Sequence, residues 1–261
     1  MFKSRLALTA VVALAGFAAA PAHAVLTTFA NFTGLDANSG IRFQNSAVDN
    51  VSGTSGSLYT INPVSNAPGV RDVSFSFLIP GLSTQVNNVN AAFTLFASTA
   101  SPAQTFGAFT LQSGLTGGFQ FLTTSAITVG SRVYAAGSNL LSGTFNDVSI
   151  SGQTNATAAS YNGSTSAGAT ITYTSDFVRF APASDYDLSI SLTSLSPMLF
   201  ANPGSALRSF EAYSTGSFSS DPAPLLGGVP EPSVWAMLVI GFGLVGFQVR
   251  RRKANGMAVT A

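Results

Sequence analysis

The sequence of 261 residues contains no cysteine, and its only histidine is His23. Without cysteine no disulfide can form, so a buried core has to stabilise the folded chain. Residues 25–261 have no histidine, which excludes Ser-His-Asp and Cys-His nucleophilic schemes and zinc sites built from histidine or cysteine. Carboxylates, hydroxyls and amides remain for chemistry. We therefore expect a protein that is not an enzyme and that needs no cofactor.

Charged residues are also scarce, because Asp, Glu, Lys and Arg make up only 8% of the chain. The segment 25–224 has five arginines, nine acidic residues and no lysine, which gives it a net charge of −4. Nucleic-acid binding needs a dense cationic face, so we expect no nucleic-acid partner. Lysine is the commonest charge that blocks pairing between exposed strand edges, and its absence permits self-association.

The first 24 residues have the three parts of a secretory signal, namely a basic start, an apolar run and a cleavage site of the A-x-A type. These parts are Lys3 and Arg5, the run 6–20, and Ala22 with Ala24. We predict that residues 1–24 are a signal peptide for the Sec machinery and that the mature protein begins at Val25. The run is short for a membrane span, so an uncleaved anchor is the less favoured alternative.

The sequence after residue 228 contains a short motif, an apolar stretch and a cluster of cations. The stretch 233–249 holds seventeen residues without charge, which is the lower limit for a helix across a bilayer. We predict a single transmembrane helix there, with 250–261 as a basic cytoplasmic tail, since cations favour the cytoplasmic side. The cations that stop the span are Arg250, Arg251, Arg252 and Lys253.

The motif before this stretch consists of Pro230, Glu231, Pro232, Trp235 and Ala236. Together with the apolar stretch and the cations, it resembles the PEP-CTERM sorting signal in its PEPxxWA variant, over residues 229–253. The resemblance implies recognition by an exosortase, a membrane-embedded, cysteine transpeptidase-like enzyme of Gram-negative bacteria that make exopolysaccharide. It also implies a transient inner-membrane anchor, followed by release to the cell surface or extracellular matrix. The alternative is an ordinary single-pass anchor behind a proline-rich linker.

Between the two ends, apolar and polar residues alternate with a period of two. Val73, Phe75 and Phe77 alternate with Ser74 and Ser76, which indicates strands with one buried face. About eight to twelve such runs are separated by turns rich in Gly, Pro, Asn and Ser, without helical periodicity between them. We predict an all-β domain over 25–218, an antiparallel and jelly-roll-like β-sandwich, with a Pro/Gly linker over 219–232.

Asp185 and Asp187 are the only close carboxylate pair in the sequence, and their oxygens could ligate calcium. The flanking residues lack the further acids and the glycine of a regular calcium loop. We therefore favour the simpler interpretation that Asp185 ends a turn and Asp187 begins a strand.

A structural or adhesive role on the cell surface or in the exopolysaccharide matrix is the function that the sequence favours. A carbohydrate-binding, lectin-like module is the alternative, because tyrosines on a strand surface can stack on the sugar rings of extracellular polysaccharide. A carboxylate-based glycan hydrolase is less favoured, since nothing in the sequence selects a pair of acids. The candidate tyrosines are Tyr59, Tyr134, Tyr161, Tyr186 and Tyr213.

Overall fold

The computed structural model describes residues 26–35, 40–182, 184–226, 239, 240 and 242. The predicted signal peptide and its cleavage site lie outside these residues, as do the Pro-Glu-Pro motif and the cations at 250–253. Three residues of the predicted transmembrane stretch are described, and all three are helical. Among the described residues, no helix has the length and apolar character needed to cross a membrane.

The described chain folds into sixteen strands and one short 3-10 turn at Thr165–Ala167. The strands are β1 Thr27–Gly34, β2 Ile41–Asn45, β3 Gly56–Thr60, β4 Arg71–Phe77, β5 Val89–Thr99, β6 Gln104–Phe106, β7 Phe109–Thr123, β8 Ile127–Val129, β9 Arg132–Tyr134, β10 Asn139–Gln153, β11 Ala158–Ser164, β12 Thr170–Thr174, β13 Val178–Arg179, β14 Asp185–Ser196, β15 Phe210–Asp221 and β16 Leu225–Leu226.

The alternating segments form strands because each places its apolar side chains on one face. In β4, Val73, Phe75 and Phe77 are buried, and in β14 Leu188 and Ile190 are buried with exposed serine between them. All pairings between the strands are antiparallel. The prediction of an all-β, antiparallel and sandwich-like fold is confirmed.

The main sheet closes on itself. Starting from β1, the hydrogen-bonded neighbours run β4, β5, β7, β10, β11, β14 and β15, and β15 pairs with β1 again. Part of β5 extends beyond β4 and pairs with β3, and part of β15 extends beyond β1 and pairs with β2. Strands β2 and β3 pair with each other and complete this edge. This observed order replaces the jelly-roll-like connectivity that we expected, because alternation alone carries no information on which strands pair.

Phenylalanine fills the interior of the closed sheet. The Phe32 ring lies with its centroid 4.9 Å from that of Phe93, 5.0 Å from that of Phe121 and 6.1 Å from that of Phe218. Phe93 and Phe121 stack with their ring centroids 4.5 Å apart. These rings come from β1, β5, β7 and β15, so one aromatic cluster joins four strands of the closed sheet. Aromatic pairs of this kind add about 0.5–1.5 kcal/mol each beyond the area that they bury.

The folded body extends further than the predicted boundary at residue 218. Strand β15 continues to Asp221, Pro224 is buried, and β16 pairs with β13 through Val178 with Leu226 and Arg179 with Leu225. Leu226 packs against the core, and a Cβ atom built on Gly81 would lie 3.0 Å from its Cδ1 atom. The first half of the predicted linker 219–232 is therefore part of the folded body, because these apolar residues find a docking place there.

Replacement of Leu226 by serine is expected to release β16 from β13, since Leu226 supplies the apolar contact that holds this two-residue strand. We expect a local loss of about 1 kcal/mol, with faster amide hydrogen exchange at Ala223, Leu225 and Leu226 and unchanged exchange in β10 and β14. Leu225→Ser is the matched control, because the Leu225 side chain is 58% exposed. Equal protection of β16 in both variants would show that Leu226 does not hold it.

Candidate functional site

The described body ends at β16, four residues before Pro230 of the Pro-Glu-Pro motif. Four residues span at most roughly 14 Å, even when fully extended. Only three residues separate the end of β16 from the first proline of the motif. Any enzyme that acts at Pro230 has to approach this end of the body closely.

The turn 79–86 and the β8–β9 hairpin lie at the same end of the body. The Gly130 amide donates a hydrogen bond of 2.8 Å to the Gln85 side chain, which joins the hairpin to the turn. The Tyr134 ring stacks on Phe177, next to β13, with centroids 4.0 Å apart. Together with the contact between Gly81 and Leu226, these interactions place β16 on a packed surface.

The structure contradicts the prediction that the five candidate tyrosines are exposed. Tyr59, Tyr134 and Tyr161 are buried, with exposures of 8%, 7% and 0%, and Tyr186 and Tyr213 are half-buried. Tyr134, Tyr161 and Tyr186 pack against the hydrophobic core, where the apolar body of a tyrosine packs well. Tyr59 is buried on the outer side of β3, next to Phe96. The five tyrosines therefore cannot form an exposed row of stacking platforms.

Asp185 is the first residue of β14, and Asp187 lies two residues further along the same strand. Asp185 accepts a hydrogen bond of 3.2 Å from the Thr165 hydroxyl, and its cross-strand neighbour is Asp221. In the described parts of the chain, no three Asp, Glu, His or Cys residues come close enough together to hold a metal ion. In the described chain, the calcium candidate thus has a structural partner at Asp185 and no third carboxylate ligand close by.

Arg42, Asp49, Arg208 and Glu211 line a depression of about 460 Å³. Arg42 forms an ion pair with Glu211 and donates a further hydrogen bond of 3.1 Å to the Asn66 carbonyl oxygen. The hydrogen bond to Glu211 raises the pKa of Arg42.

The carboxylate of Asp49 in this depression is held in its charged form. It accepts backbone hydrogen bonds of 3.0 Å from Val51 and 2.9 Å from Ser52. These bonds hold the pKa of Asp49 below its ordinary value. A glycosidase needs one carboxyl group that stays protonated near neutral pH, and Asp49 is driven in the opposite direction.

A groove of about 530 Å³ lies on the outside of the closed sheet, over strands β5, β7, β10 and β12. Two cross-strand rows form its floor, and the pairing register aligns both. The first row consists of Thr94, Gln120, Ser142 and Thr174, and the second of Phe96, Gly118, Thr144 and Thr172.

Sequence reasoning missed the residues of this groove. The signal for Phe96 was available, because it follows Leu95 at an outward position of an alternating strand and is 57% exposed. The partners of Phe96 could not be found, since they depend on the register of three strand pairs. Of the five candidate tyrosines, Tyr59 lines the groove, although its ring is buried.

Tyr161 and Tyr173 give a test of how the buried hydroxyls are satisfied. The Tyr173 hydroxyl donates a hydrogen bond of 2.6 Å to the Asp187 carbonyl oxygen, whereas the Tyr161 hydroxyl has no partner in the described chain. We expect Tyr161→Phe to be neutral or stabilising at pH 7, because it removes an unsatisfied polar group. Tyr173→Phe should lower the free energy of unfolding by about 0.5–1.5 kcal/mol in urea titrations.

Burial raises the pKa of Tyr161 and the pKa of Tyr173 well above the ordinary value of tyrosine. The free energy of unfolding of the two variants therefore depends on pH differently from that of the unmodified protein. As the pH rises, these tyrosines ionise in the unfolded state before they ionise in the folded state. The stability that comes from keeping them protonated is therefore complete below pH about 10 and is lost above it. Tyr161→Phe should therefore lose less stability than the unmodified protein between pH 9 and pH 11. A Tyr161→Phe variant that is destabilised by more than about 1 kcal/mol at pH 7 would contradict the unpaired hydroxyl.

Comparison with known proteins identifies one segment of the chain. Residues 228–253, about a tenth of its length, match the family model of the PEP-CTERM protein-sorting motif. No curated protein and no solved structure matches the chain significantly. The motif implies export, recognition by an exosortase and sorting to the cell surface. The chain therefore carries a PEP-CTERM protein-sorting motif directly after its folded β body.

Proposed function

We propose that this protein is exported cargo, carried to the cell surface or exopolysaccharide matrix by its sorting motif, where the β body has a structural or adhesive role without catalysis. The observation that carries the proposal is the motif match at 228–253, which begins two residues after β16 ends. With so short a connection, a single cleavage near the motif would separate the folded β body from the sorting segment.

In the proposed route, residues 1–24 direct the chain through the Sec machinery and are removed before Val25. The stretch 233–249 then anchors the chain in the inner membrane of a Gram-negative cell, with the cations at 250–253 on the cytoplasmic side. The exosortase recognises Pro230, Glu231 and Pro232 and releases the body.

The surface of the body supports a structural or adhesive role. Hydroxyl and amide groups dominate its exposed strand positions, and charged residues are few. On this surface, hydroxyl side chains of neighbouring strands form hydrogen bonds, such as Ser142 with Thr174 and Thr144 with Thr172, each 2.7 Å between the oxygens. Such a surface offers many neutral hydrogen-bonding groups and little charge repulsion, which favours packing against a polymer matrix or against further copies.

Carbohydrate binding is the second candidate function, and the groove over β5, β7, β10 and β12 favours it. This groove combines an exposed aromatic ring with uncharged polar side chains. A glycan hydrolase is less favoured, since Asp49 and Glu211 in the charged depression are already held by hydrogen bonds or an ion pair.

The sorting step is tested by the intact mass of the protein recovered outside the producing cell. We expect this form to begin at Val25 and to lack Trp235 and all residues after it. Glu231→Ala should remain in the membrane fraction with its C-terminal segment attached, because the motif is no longer recognised.

Asp147→Asn is the charge-matched control, since Asp147 is exposed and has no hydrogen-bond partner in the described chain. It should be processed like the unmodified protein. Extracellular protein that still contains residues 235–250 would overturn the proposed processing.

A further inference from the structure

We propose that the groove over β5, β7, β10 and β12 binds a chain of neutral polysaccharide, with one sugar ring stacked on Phe96. The inference deepens the second candidate function and rests on it, and it does not depend on the sorting motif. The residues that carry it are Phe96, Gly118, Gln120 and the hydroxyls beside them.

Phe96 supplies an apolar platform on the floor of the groove. Its side chain is 57% exposed, whereas its neighbours Leu95 and Ala97 on the same strand are buried. Sugar rings have apolar faces of C–H groups that pack on aromatic rings. Phe96 is the exposed ring among the residues that line the groove, so it offers an apolar face there for a sugar ring to cover.

Gly118 keeps the space beside this platform open. It lies on β7, opposite Phe96 of β5 and opposite Thr144 of β10. A Cβ atom at Gly118 would lie 2.9 Å from the Gly143 carbonyl oxygen, so the floor tolerates no side chain here without a shift. The absence of a side chain leaves room for a ring to lie flat next to Phe96.

The polar row beside the platform offers hydrogen bonds to sugar hydroxyls. Within the described residues, neither the Gln120 amide nor the Thr94 hydroxyl has a protein partner, and both line the groove. The hydroxyls of Ser142 and Thr174 are hydrogen-bonded to each other at 2.7 Å, and both accept from the Asn139 amide, at 2.9 and 3.5 Å. The pair uses one of its two hydroxyl protons, so the other is free to donate. The four side chains of this row come from four neighbouring strands, so the row runs across the sheet. An extended polymer that lies along the row would meet them one after another.

The lining of the groove determines the class of polysaccharide. The residues that line it include no Asp, Glu, Arg or Lys. A polyuronate would find no counter-charge there, and the body as a whole carries a net charge of −4 between residues 25 and 224. Neutral hexose polymers, which offer hydroxyls and apolar ring faces, fit this lining.

The test is native affinity electrophoresis of the purified secreted protein in gels that contain a soluble neutral β-glucan, galactomannan or dextran, or a polyuronate. We expect at least one neutral polymer to retard the protein and the polyuronate to leave its mobility unchanged. Phe96→Ala should weaken the retardation about tenfold or more, and Gln120→Ala should weaken it by a smaller factor.

Phe106→Ala is the matched control, because Phe106 is 60% exposed but does not line the groove. It should bind like the unmodified protein, and circular dichroism should show all variants folded. Equal retardation of Phe96→Ala and the unmodified protein would overturn the proposal, as would the absence of binding to every neutral polymer. Concentration-dependent dimers that disappear in Phe96→Ala would also overturn it, since the face would then meet a second copy. Each outcome is independent of how the C-terminal segment is processed.

Discussion

Strand β1 is hydrogen-bonded along both of its edges, to β4 on one side and to β15 on the other. This double pairing joins the first and last parts of the body and closes the main sheet. In a closed sheet, the inward side chains of all strands share one interior, so the core can be filled by large rings without a disulfide. Phe32 on β1 is the ring that contacts Phe93, Phe121 and Phe218 from three other strands.

The outside of the body follows from this closure. Because most aromatic residues lie inside, the outward positions of β5, β7, β10 and β12 that line the groove carry Gly118 and hydroxyl or amide side chains, with Phe96 as the exposed ring. In the described chain β12 pairs with β10 only, which leaves the far side of the groove open to solvent. The folded body ends with β16, and the sorting motif begins two residues later.

Parts of this arrangement could be predicted from the sequence because they depend on local pattern. The alternation in β4 and β14 predicted which residues face the core. The Pro-Glu-Pro motif and its cations could be recognised because they form one short stretch of sequence. Strand β11 was not predictable, since only Tyr161 and two alanines interrupt its polar residues. Its place depends on partners β10 and β14, which lie apart in the chain.

The candidate sites depended even more on tertiary structure. The tyrosines were predicted to be exposed because tyrosine is common on strand surfaces, whereas Tyr161 faces a core that contains Phe145. The linker prediction failed at Leu225 and Leu226 because two residues of strand have no pattern, and only their pairing with β13 reveals them. The groove required the register of β5, β7, β10 and β12, which no property of one strand specifies.

Native-state hydrogen exchange of β1 tests most directly whether closure of the sheet holds the body together. If β1 is the closing strand, its paired amides should exchange only when the whole body unfolds, with the same free energy of opening as those of β10 and β14. Amides of β1 that exchange through a local opening, at a free energy several kcal/mol below that of β10, would contradict the account.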